Sequence, residues 1–169
     1  IRKSLIMRIG VVSDTHNNLK NVDKAVSLFN RKSVDLVFHT GDITNAKTLA
    51  RFSRLNCNLI CVYGNNDRNE EGLEEVAKKN SFEIYEPPKI LKKGGRKIAV
   101  FHEPDNIDAF LMANLDIDIV LHGHTHRYRE EKRNETLIFN PGESAGMRKG
   151  NNVIGFIDLD CFLTERIFF

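Results

Sequence analysis

The stretch Ile9-Gly10-Val11-Val12-Ser13-Asp14-Thr15-His16 sets the pattern on which the fold interpretation rests. Its first half is a short apolar run of the kind that forms a buried β-strand. Asp14 and His16, two residue types that ligate metals, follow this run directly. A strand that ends in such side chains is typical of an α/β sheet, in which ligands bind beyond the carboxyl ends of the strands.

The same arrangement recurs after four more apolar segments of the chain. If the five strands are parallel neighbours, we expect their polar ends to converge on one edge of a sheet. The five polar segments are residues 13–16, 39–42, 63–67, 102–103 and 122–126.

Helical periodicity separates the first strands. Leu19, Val22, Val26 and Phe29 recur at the spacing of one helix face, with polar residues between them. Because the chain begins with alternating strands and helices and ends in strands, we predict two packed sheets flanked by helices. The predicted helices are 19–29, 46–55, 70–79 and 105–114, and the predicted strands are 9–12, 36–38, 59–62, 82–85, 89–91, 96–101, 117–121, 136–139, 153–159 and 162–168.

The composition is that of an ordinary globular chain. The 169 residues include 41% hydrophobic and 28% charged residues, which excludes a disordered tail. A formal net charge of +2 gives no global field that would indicate nucleic acid or an anionic membrane as a partner. We expect one domain over residues 7–169, with residues 1–6 as upstream coding sequence or a cloning remnant.

The apolar runs and the cysteines limit where the protein is expected to act. The longest uncharged stretch, residues 55–66, falls short of the ~20 apolar residues of a membrane span. Cys57 and Cys61 are placed in one strand, too far apart to bond, and are interpreted as buried apolar residues. We therefore expect a cytoplasmic protein without a membrane partner.

Each polar segment taken alone has an ordinary structural explanation. Asp14, Asn17 or Asn18 could cap the first helix, a single histidine is often a packed residue, and Gly64-Asn65-Asn66-Asp67 could be a turn. Their joint occurrence at five strand ends indicates a metal centre instead. Asp, His and Asn ligands without thiolate suit a divalent ion such as Mn, Fe, Ni or Zn.

The complete set of motifs resembles the calcineurin-like metallophosphoesterases, most closely their small archaeal and bacterial phosphodiesterases. The resemblance covers residues 7–169 and implies a four-layer αββα sandwich of two mixed β-sheets. The motifs that carry it are Asp14-x-His16, Gly41-Asp42, Gly64-Asn65-x-Asp67, His102 and Gly123-His124-x-His126, with Asn140-Pro141-Gly142 as a further point of likeness.

The resemblance implies two divalent metal ions per chain, manganese first, with nickel, iron or zinc as alternatives. It implies hydrolysis of phosphoester bonds by in-line attack of a hydroxide that bridges the two ions. By the same resemblance, Asp42 bridges the metals. One ion is then held by Asp14, His16, Asp42 and His126, and the other by Asp42, Asn65, His102 and His124.

The chain departs from the family pattern at two places. Asn66 stands where many members have a histidine that can act as a general acid, so we expect weak hydrolysis of alkyl esters and better activity with good leaving groups. Glu103-Pro104 follows His102 where the family usually has glycine and a polar residue, which changes the local loop. We assign catalytic roles to Asp42, Asn66 and Asp67, the last through orientation of a ligand or stabilisation of a turn.

Several polar residues lie close to the motifs without being family ligands. His39 and His122 are expected to be packed residues or to hydrogen-bond to a ligand from outside the site, with substrate contact as the alternative. The turn at Asn140-Pro141-Gly142 is expected to place Glu143 and Ser144 near the site. A basic group near the last motif could hold substrate phosphate: Arg127, Arg129, Arg148 and Lys149. A second basic group is interpreted as a solvated hairpin: Lys89, Lys92, Lys93, Arg96 and Lys97.

Two other functions compete with the phosphodiesterase. The first is a catalytically weak or inactive scaffold for protein partners, as in a retromer subunit with this fold. The second is a mononuclear zinc hydrolase built on His122, His124 and His126. The expected partner is a small phosphoester substrate; the sequence does not indicate nucleic acid, and homo-oligomerisation is left open.

Overall fold

Two mixed β-sheets form the centre of the molecule. The computed structural model describes residues 6–169, so the prediction for residues 1–6 lies almost wholly outside the described residues. The strands are β1 (Arg8–Val12), β2 (Leu36–His39), β3 (Asn58–Val62), β4 (Glu83–Tyr85), β5 (Lys89–Lys93), β6 (Arg96–Val100), β7 (Ile119–Leu121), β8 (Arg129–Arg133), β9 (Thr136–Asn140), β10 (Val153–Asp158) and β11 (Thr164–Phe168). The helices are α1 (Leu19–Arg31), α2 (Ala46–Arg51), α3 (Leu73–Lys79) and α4 (Ile107–Ala113).

The first sheet has the order β11-β10-β1-β2-β3-β4, and the second has the order β5-β6-β7-β9-β8. In the first sheet β1 to β4 are parallel and β10 pairs antiparallel with β1. In the second, β6, β7 and β9 are parallel, while β5 and β8 pair antiparallel at the two edges. The carboxyl ends of β1, β2 and β3 therefore share one edge, and those of β6, β7 and β9 share another.

Alternation along the strands separates three apolar clusters, because successive side chains point to opposite faces of a sheet. On β1, Ile9 and Val11 pack between the sheets, whereas Val12 packs under α1. On β7, Ile119 and Leu121 face the space between the sheets and Val120 faces α4. The layers are thus helices, sheet, sheet and helix, which confirms the predicted αββα sandwich.

Some element boundaries differ from the prediction. The helix predicted over 70–79 begins only at Leu73, after Gly72 in a left-handed conformation. The helix predicted over 46–55 ends at Arg51 and continues as a 3₁₀ turn, Phe52–Arg54. Cys57 precedes β3 instead of lying within it, and Cys57, Cys61 and Cys161 are all free.

Strand β8 was not predicted. Its sequence, REEKR, carries no apolar residue to mark a buried face. It forms the edge of the second sheet, where Glu131 pairs with Arg129 and Arg133 on the same strand. A charged edge strand of this kind forms backbone hydrogen bonds with its neighbour on one side. On the other side, its charges discourage pairing with a strand of another chain.

Within the described residues, no helix is both long enough and apolar enough to cross a membrane.

Candidate metal centre

The proposed ligands lie in the loops that leave the carboxyl ends of five strands. Three of these strands belong to the first sheet and two to the second, so the ligands converge from two sheet edges and not from one as the sequence suggested. Backbone conformations with positive φ are rare for residues other than glycine and cluster at functional sites. Five of the predicted ligands have them: Asp14 (49°), His16 (44°), Asp42 (57°), His124 (67°) and His126 (57°).

Two motif glycines lie so close to the proposed ligands that no side chain would fit at their positions. A Cβ atom on Gly64 would lie 2.2 Å from the backbone nitrogen and from Oδ1 of Asp42. A Cβ atom on Gly123 would lie 2.0 Å from Ser13 Oγ and 2.8 Å from Asp14 Oδ2. A side chain at either position would therefore displace a ligand-bearing loop.

The first group of ligands consists of Asp14, His16 and His126. His126 Nε2 lies 3.4 Å from Asp14 Oδ1 and 3.4 Å from His16 Nε2. One donor atom from each of the three residues falls within 4.8 Å of the others, a spacing that can hold a metal ion.

The second group surrounds Asn65. His102 Nε2 lies 2.9 Å and His124 Nδ1 lies 3.1 Å from Asn65 Oδ1. His102 also lies 3.4 Å from Asp42 Oδ1, and it forms a further compact group with Asp42 and Asp14. All four residues that the resemblance assigns to the second ion are thus brought together.

Asp42 lies between the two groups. Its Oδ2 is 3.8 Å from His16 Nε2, and its Oδ1 is 3.4 Å from His102 Nε2. Asn66 binds both carboxylate oxygens: the backbone N–H donates to Oδ1 at 3.0 Å and the side-chain amide donates to Oδ2 at 2.9 Å. Asp42 is therefore held in an orientation that presents one oxygen to each group.

The donor atoms have the chemistry that a divalent ion needs. Asp14 is fully buried, and within residues 6–169 its Oδ1 has no hydrogen-bond partner, although an unpaired buried carboxylate oxygen is costly. His102 Nδ1 lies 2.8 Å from the Thr40 carbonyl oxygen, to which only a protonated nitrogen can donate. The Nε2 atom of that ring is then free as a metal ligand.

Burial and hydrogen bonding shift the pKa values of three residues in the cluster. Burial raises the pKa of Asp14. Burial would also raise the pKa of Asp42, but hydrogen bonds from His102 and Asn66 outweigh it and lower that pKa. Burial opposes a charge on His102, yet its hydrogen bond to Asp42 raises its pKa. Two buried carboxylates in one cluster favour a bound cation, and a divalent metal ion would supply that charge.

Residues 7–161 match the family model described as the calcineurin-like phosphoesterase superfamily domain. The chain belongs to this superfamily. Its relatives include phosphodiesterase MJ0936 of Methanocaldococcus jannaschii, which is 33% identical over 164 residues, covering 91% of this chain and 94% of that protein. Phosphodiesterase YfcE of Escherichia coli is 26% identical over 92% of this chain and 88% of its own.

Solved structures of the superfamily fold superpose on this chain. A novel archaeal phosphodiesterase, 32% identical, has a TM-score of 0.87 and covers 96% of this chain and 100% of its own. Vacuolar protein sorting 29 from Cryptosporidium parvum, 17% identical, has a TM-score of 0.67 and covers 97% of each chain. At 17% identity the second likeness shows the shared fold alone.

Two histidines near this candidate metal centre are packed residues. His39 is fully buried; its Nδ1 accepts from the Gly41 N–H at 3.1 Å, and its Nε2 lies 2.9 Å from Thr15 Oγ1. Burial lowers the pKa of His39 to about 3 and that of His122 to about 4, so both are neutral near pH 7. The metal-competent groups found among residues 6–169 do not include His122, which removes the geometric basis for the mononuclear zinc site.

Asp67 is buried and accepts hydrogen bonds from three backbone amides. They are those of Gly64 (2.8 Å), Thr44 (2.7 Å) and Ile43 (3.2 Å). Asp67 thereby joins the loop after β2 to the loop after β3. Its catalytic assignment stays a prediction, and these contacts favour the loop-stabilising role over direct chemistry.

The two basic groups have different environments. Arg129 is paired with Glu131 at 2.7 Å, whereas Arg127, Arg148 and Lys149 are exposed. In the β5–β6 hairpin, Lys97 pairs with Asp116 at 2.5 Å, and the Arg96 guanidinium donates to backbone carbonyls. These bonds tie part of the hairpin to the protein itself.

A sixth strand end contributes to the site. After β9, the Asn140 side chain accepts from the Gly142 N–H at 3.0 Å and donates to Gly123 O at 3.2 Å. Glu143 follows, and its Oε2 lies 3.2 Å from His126 Nδ1. The sequence predicted that this turn brings Glu143 near the site, but the contact with a specific ligand could not be derived from spacing.

Proposed function

We propose that this chain is a phosphodiesterase that works with two divalent metal ions, manganese first. The observation that carries the proposal is the unpaired, buried Oδ1 of Asp14 facing His126 Nε2 within a cluster of seven ligand-type residues. Membership of the calcineurin-like superfamily and relatives named as phosphodiesterases support it.

The ligand assignment follows the two groups. Asp14, His16 and His126 would hold one ion, Asn65, His102 and His124 the other, and Asp42 would contact both. When bound, the two ions would supply positive charge for the phosphoester and an activated water for in-line hydrolysis.

The chain's own residues prepare the site for that chemistry. Asn66 fixes both oxygens of Asp42, and Thr40 O holds the proton of His102 on Nδ1. Burial of Asp14 and Asp42 keeps competing water away from the carboxylates. Without cations, these carboxylates would repel an anionic phosphoester, which makes the reaction dependent on metal.

Asn66 sets the expected substrate range. Its amide already donates to Asp42 and is far too weak an acid to protonate a departing alkoxide. The proposed substrates are therefore small diesters whose leaving group departs as a stable anion. The exposed Arg148 and Lys149, in the segment after Glu143, are candidates to contact the substrate phosphate.

The test is a substrate panel on protein loaded in turn with Mn²⁺, Ni²⁺ and Zn²⁺, with bis-p-nitrophenyl phosphate as the first substrate. We expect metal-dependent release of p-nitrophenol, a large loss in Asp42→Ala, and no change in Glu135→Gln, whose carboxylate is 97% exposed. No turnover of activated diesters or monoesters by metal-replete protein would refute the enzyme, and intact activity in Asp42→Ala would refute the site.

A further inference from the structure

Glu143 is a buried carboxylate behind one of the proposed ligands. It is 1% exposed, and its Oε2 lies 3.2 Å from Nδ1 of His126. The N–H of Met147 donates to the same oxygen at 3.4 Å. The opposite nitrogen of the ring, Nε2, points into the cluster, 3.4 Å from Asp14 Oδ1.

This geometry determines which ring nitrogen carries the proton. A carboxylate can only accept, so His126 Nδ1 must donate to Glu143, which leaves the lone pair of Nε2 for a metal ion. A carboxylate behind a ligating imidazole also fixes the plane of the ring and makes the ring a stronger electron donor.

The turn that carries Glu143 is fixed against the loop that carries His126. Asn140 contacts both, because its side-chain amide donates to Gly123 O and to Thr125 Oγ1 at 3.2 Å each. On the other side, the Ser144 N–H donates to Ser13 O at 3.1 Å, beside Asp14. The backbone on either side of Glu143 is therefore tied to two loops of the site.

The other ligands of the cluster have different partners. His102 Nδ1 faces a backbone carbonyl, and His16 Nδ1 lies 3.3 Å from the Thr44 hydroxyl. The charge of Glu143 thus acts on the Asp14–His16–His126 group and not directly on His102.

We propose that Glu143 is a positioning residue that holds His126 as the Nδ1–H tautomer and thereby strengthens metal binding at the Asp14–His16–His126 group. The inference rests on the proposed function, since it takes these three residues to be metal ligands. It adds a residue outside the predicted ligand set and assigns its effect to one of the two ions.

Calorimetric titration with Mn²⁺ tests this. We expect two binding events in the wild type and, in Glu143→Ala, one event weakened by about 10- to 100-fold with the other little changed. Glu143→Gln should recover part of the loss because its amide oxygen can accept the Nδ1 proton. Glu135→Ala is the control: its carboxylate is 97% exposed, so its loss should leave both events unchanged.

The Nδ1 proton of His126 provides a second measurement, which a general loss of stability would not change. In ¹⁵N spectra of the Zn²⁺-loaded protein, His126 should be protonated on Nδ1 in the wild type and in Glu143→Gln. In Glu143→Ala that proton should exchange rapidly with water. If Glu143→Ala does not fold, the Mn²⁺ titration of Glu143→Gln decides: one event should be weaker than in the wild type, and two events as tight as in the wild type would overturn the role of Glu143.

The outcomes separate the two proposals. Two tight events in wild type that persist unchanged in both Glu143 variants would overturn the role of Glu143 and leave the phosphodiesterase standing. Two events with the expected effect of Glu143→Ala, but no turnover of any diester, would support the positioning role and overturn the phosphodiesterase. A wild type that binds no metal would overturn both.

Discussion

Asn66 binds the carboxylate of Asp42 through both its backbone and its side-chain N–H groups. At this position many family members have a histidine, which can protonate a leaving group. Here the side chain instead donates to a proposed ligand. In the proposed mechanism, asparagine at this position therefore orients Asp42 and supplies no general acid.

This difference predicts the effect of replacing Asn66 by histidine. In Asn66→His we expect kcat/KM for diesters with poor leaving groups to rise by on the order of 10-fold or more relative to activated esters. The measurement is the dependence of kcat/KM on leaving-group pKa, which should be steep in wild type and flatter in the variant. Asn66→Ala, which loses the side-chain contact without gaining an acid, should keep the steep dependence; equal slopes in all three proteins would contradict the account.

Gly64 gives a second prediction at this scale. In Gly64→Ala the new methyl group would meet Asp42 at 2.2 Å, so we expect a loss of roughly 1–3 kcal/mol in the free energy of unfolding together with weaker metal binding. Gly95→Ala is the reference: its φ of 75° is unfavourable for alanine, unlike that of Gly64, but no atom lies within 4 Å of the added Cβ. Urea unfolding and Mn²⁺ titration should show stability loss in both variants and metal loss in Gly64→Ala alone; unimpaired metal binding in Gly64→Ala would refute the close-approach argument.

At the scale of elements, helix α2 begins directly after the loop that carries Asp42. Its N-cap is Asn45, whose Oδ1 accepts from the backbone N–H of Thr48 at 2.9 Å and from its hydroxyl at 3.0 Å. Asn45→Ala leaves these donors without the acceptor and should lower the free energy of unfolding by about 1 kcal/mol, measured by urea denaturation. Asn45→Asp, which keeps a capping oxygen, should stay close to wild type, and an Asn45→Ala protein as stable as wild type would show that the cap contributes nothing.

The elements that position the site could be predicted because they carry strong apolar signals. Residues 9–12, 36–38 and 59–62 are short apolar runs, and each became a parallel strand of the first sheet. The charged edge strand β8 gave no such signal, since its position depends on pairing with β9 across the sheet. The start of α3 was placed too early because acidic residues before Gly72 fit a helix start equally well.

The candidate site was predictable in part, because its residues directly follow these apolar runs. Residue types at strand ends indicated a metal centre, and the resemblance to the metallophosphoesterases named the seven proposed ligands, which the fold brings together. The contacts behind those ligands depend on distances that no spacing encodes. Examples are the hydrogen bonds of Asp67 to three amides, of Asn66 to Asp42 and of Glu143 to His126.

At the scale of the whole molecule, the two sheets pack face to face and bring their carboxyl edges to one end of the sandwich. The strand ends come from different layers, so the site needs the assembled core in order to exist. Charge at this end is concentrated in buried groups, whereas the net charge of the chain is only +2.

Burial of His39 predicts how stability depends on pH. Its pKa is about 3 in the folded protein and about 6.5 when unfolded, so between these values the unfolded chain binds the extra proton. The contribution of neutral His39 is complete above about pH 6.5 and is lost as the pH falls toward 3. In metal-free protein with EDTA, the urea-derived free energy of unfolding should fall between about pH 7 and about pH 5, less steeply in His39→Asn than in wild type. If the free energy of unfolding fell equally steeply with pH in both proteins, the low pKa of folded His39 would be contradicted.

Seven side chains from two sheets are proposed to form a centre for two metal ions. The most direct measurement is anomalous diffraction at the manganese edge from crystals of the protein grown with Mn²⁺. We predict two peaks, one contacting Asp14, His16 and His126, the other contacting Asn65, His102 and His124, with Asp42 contacting both. A single ion, or ions bound away from these residues, would contradict the account.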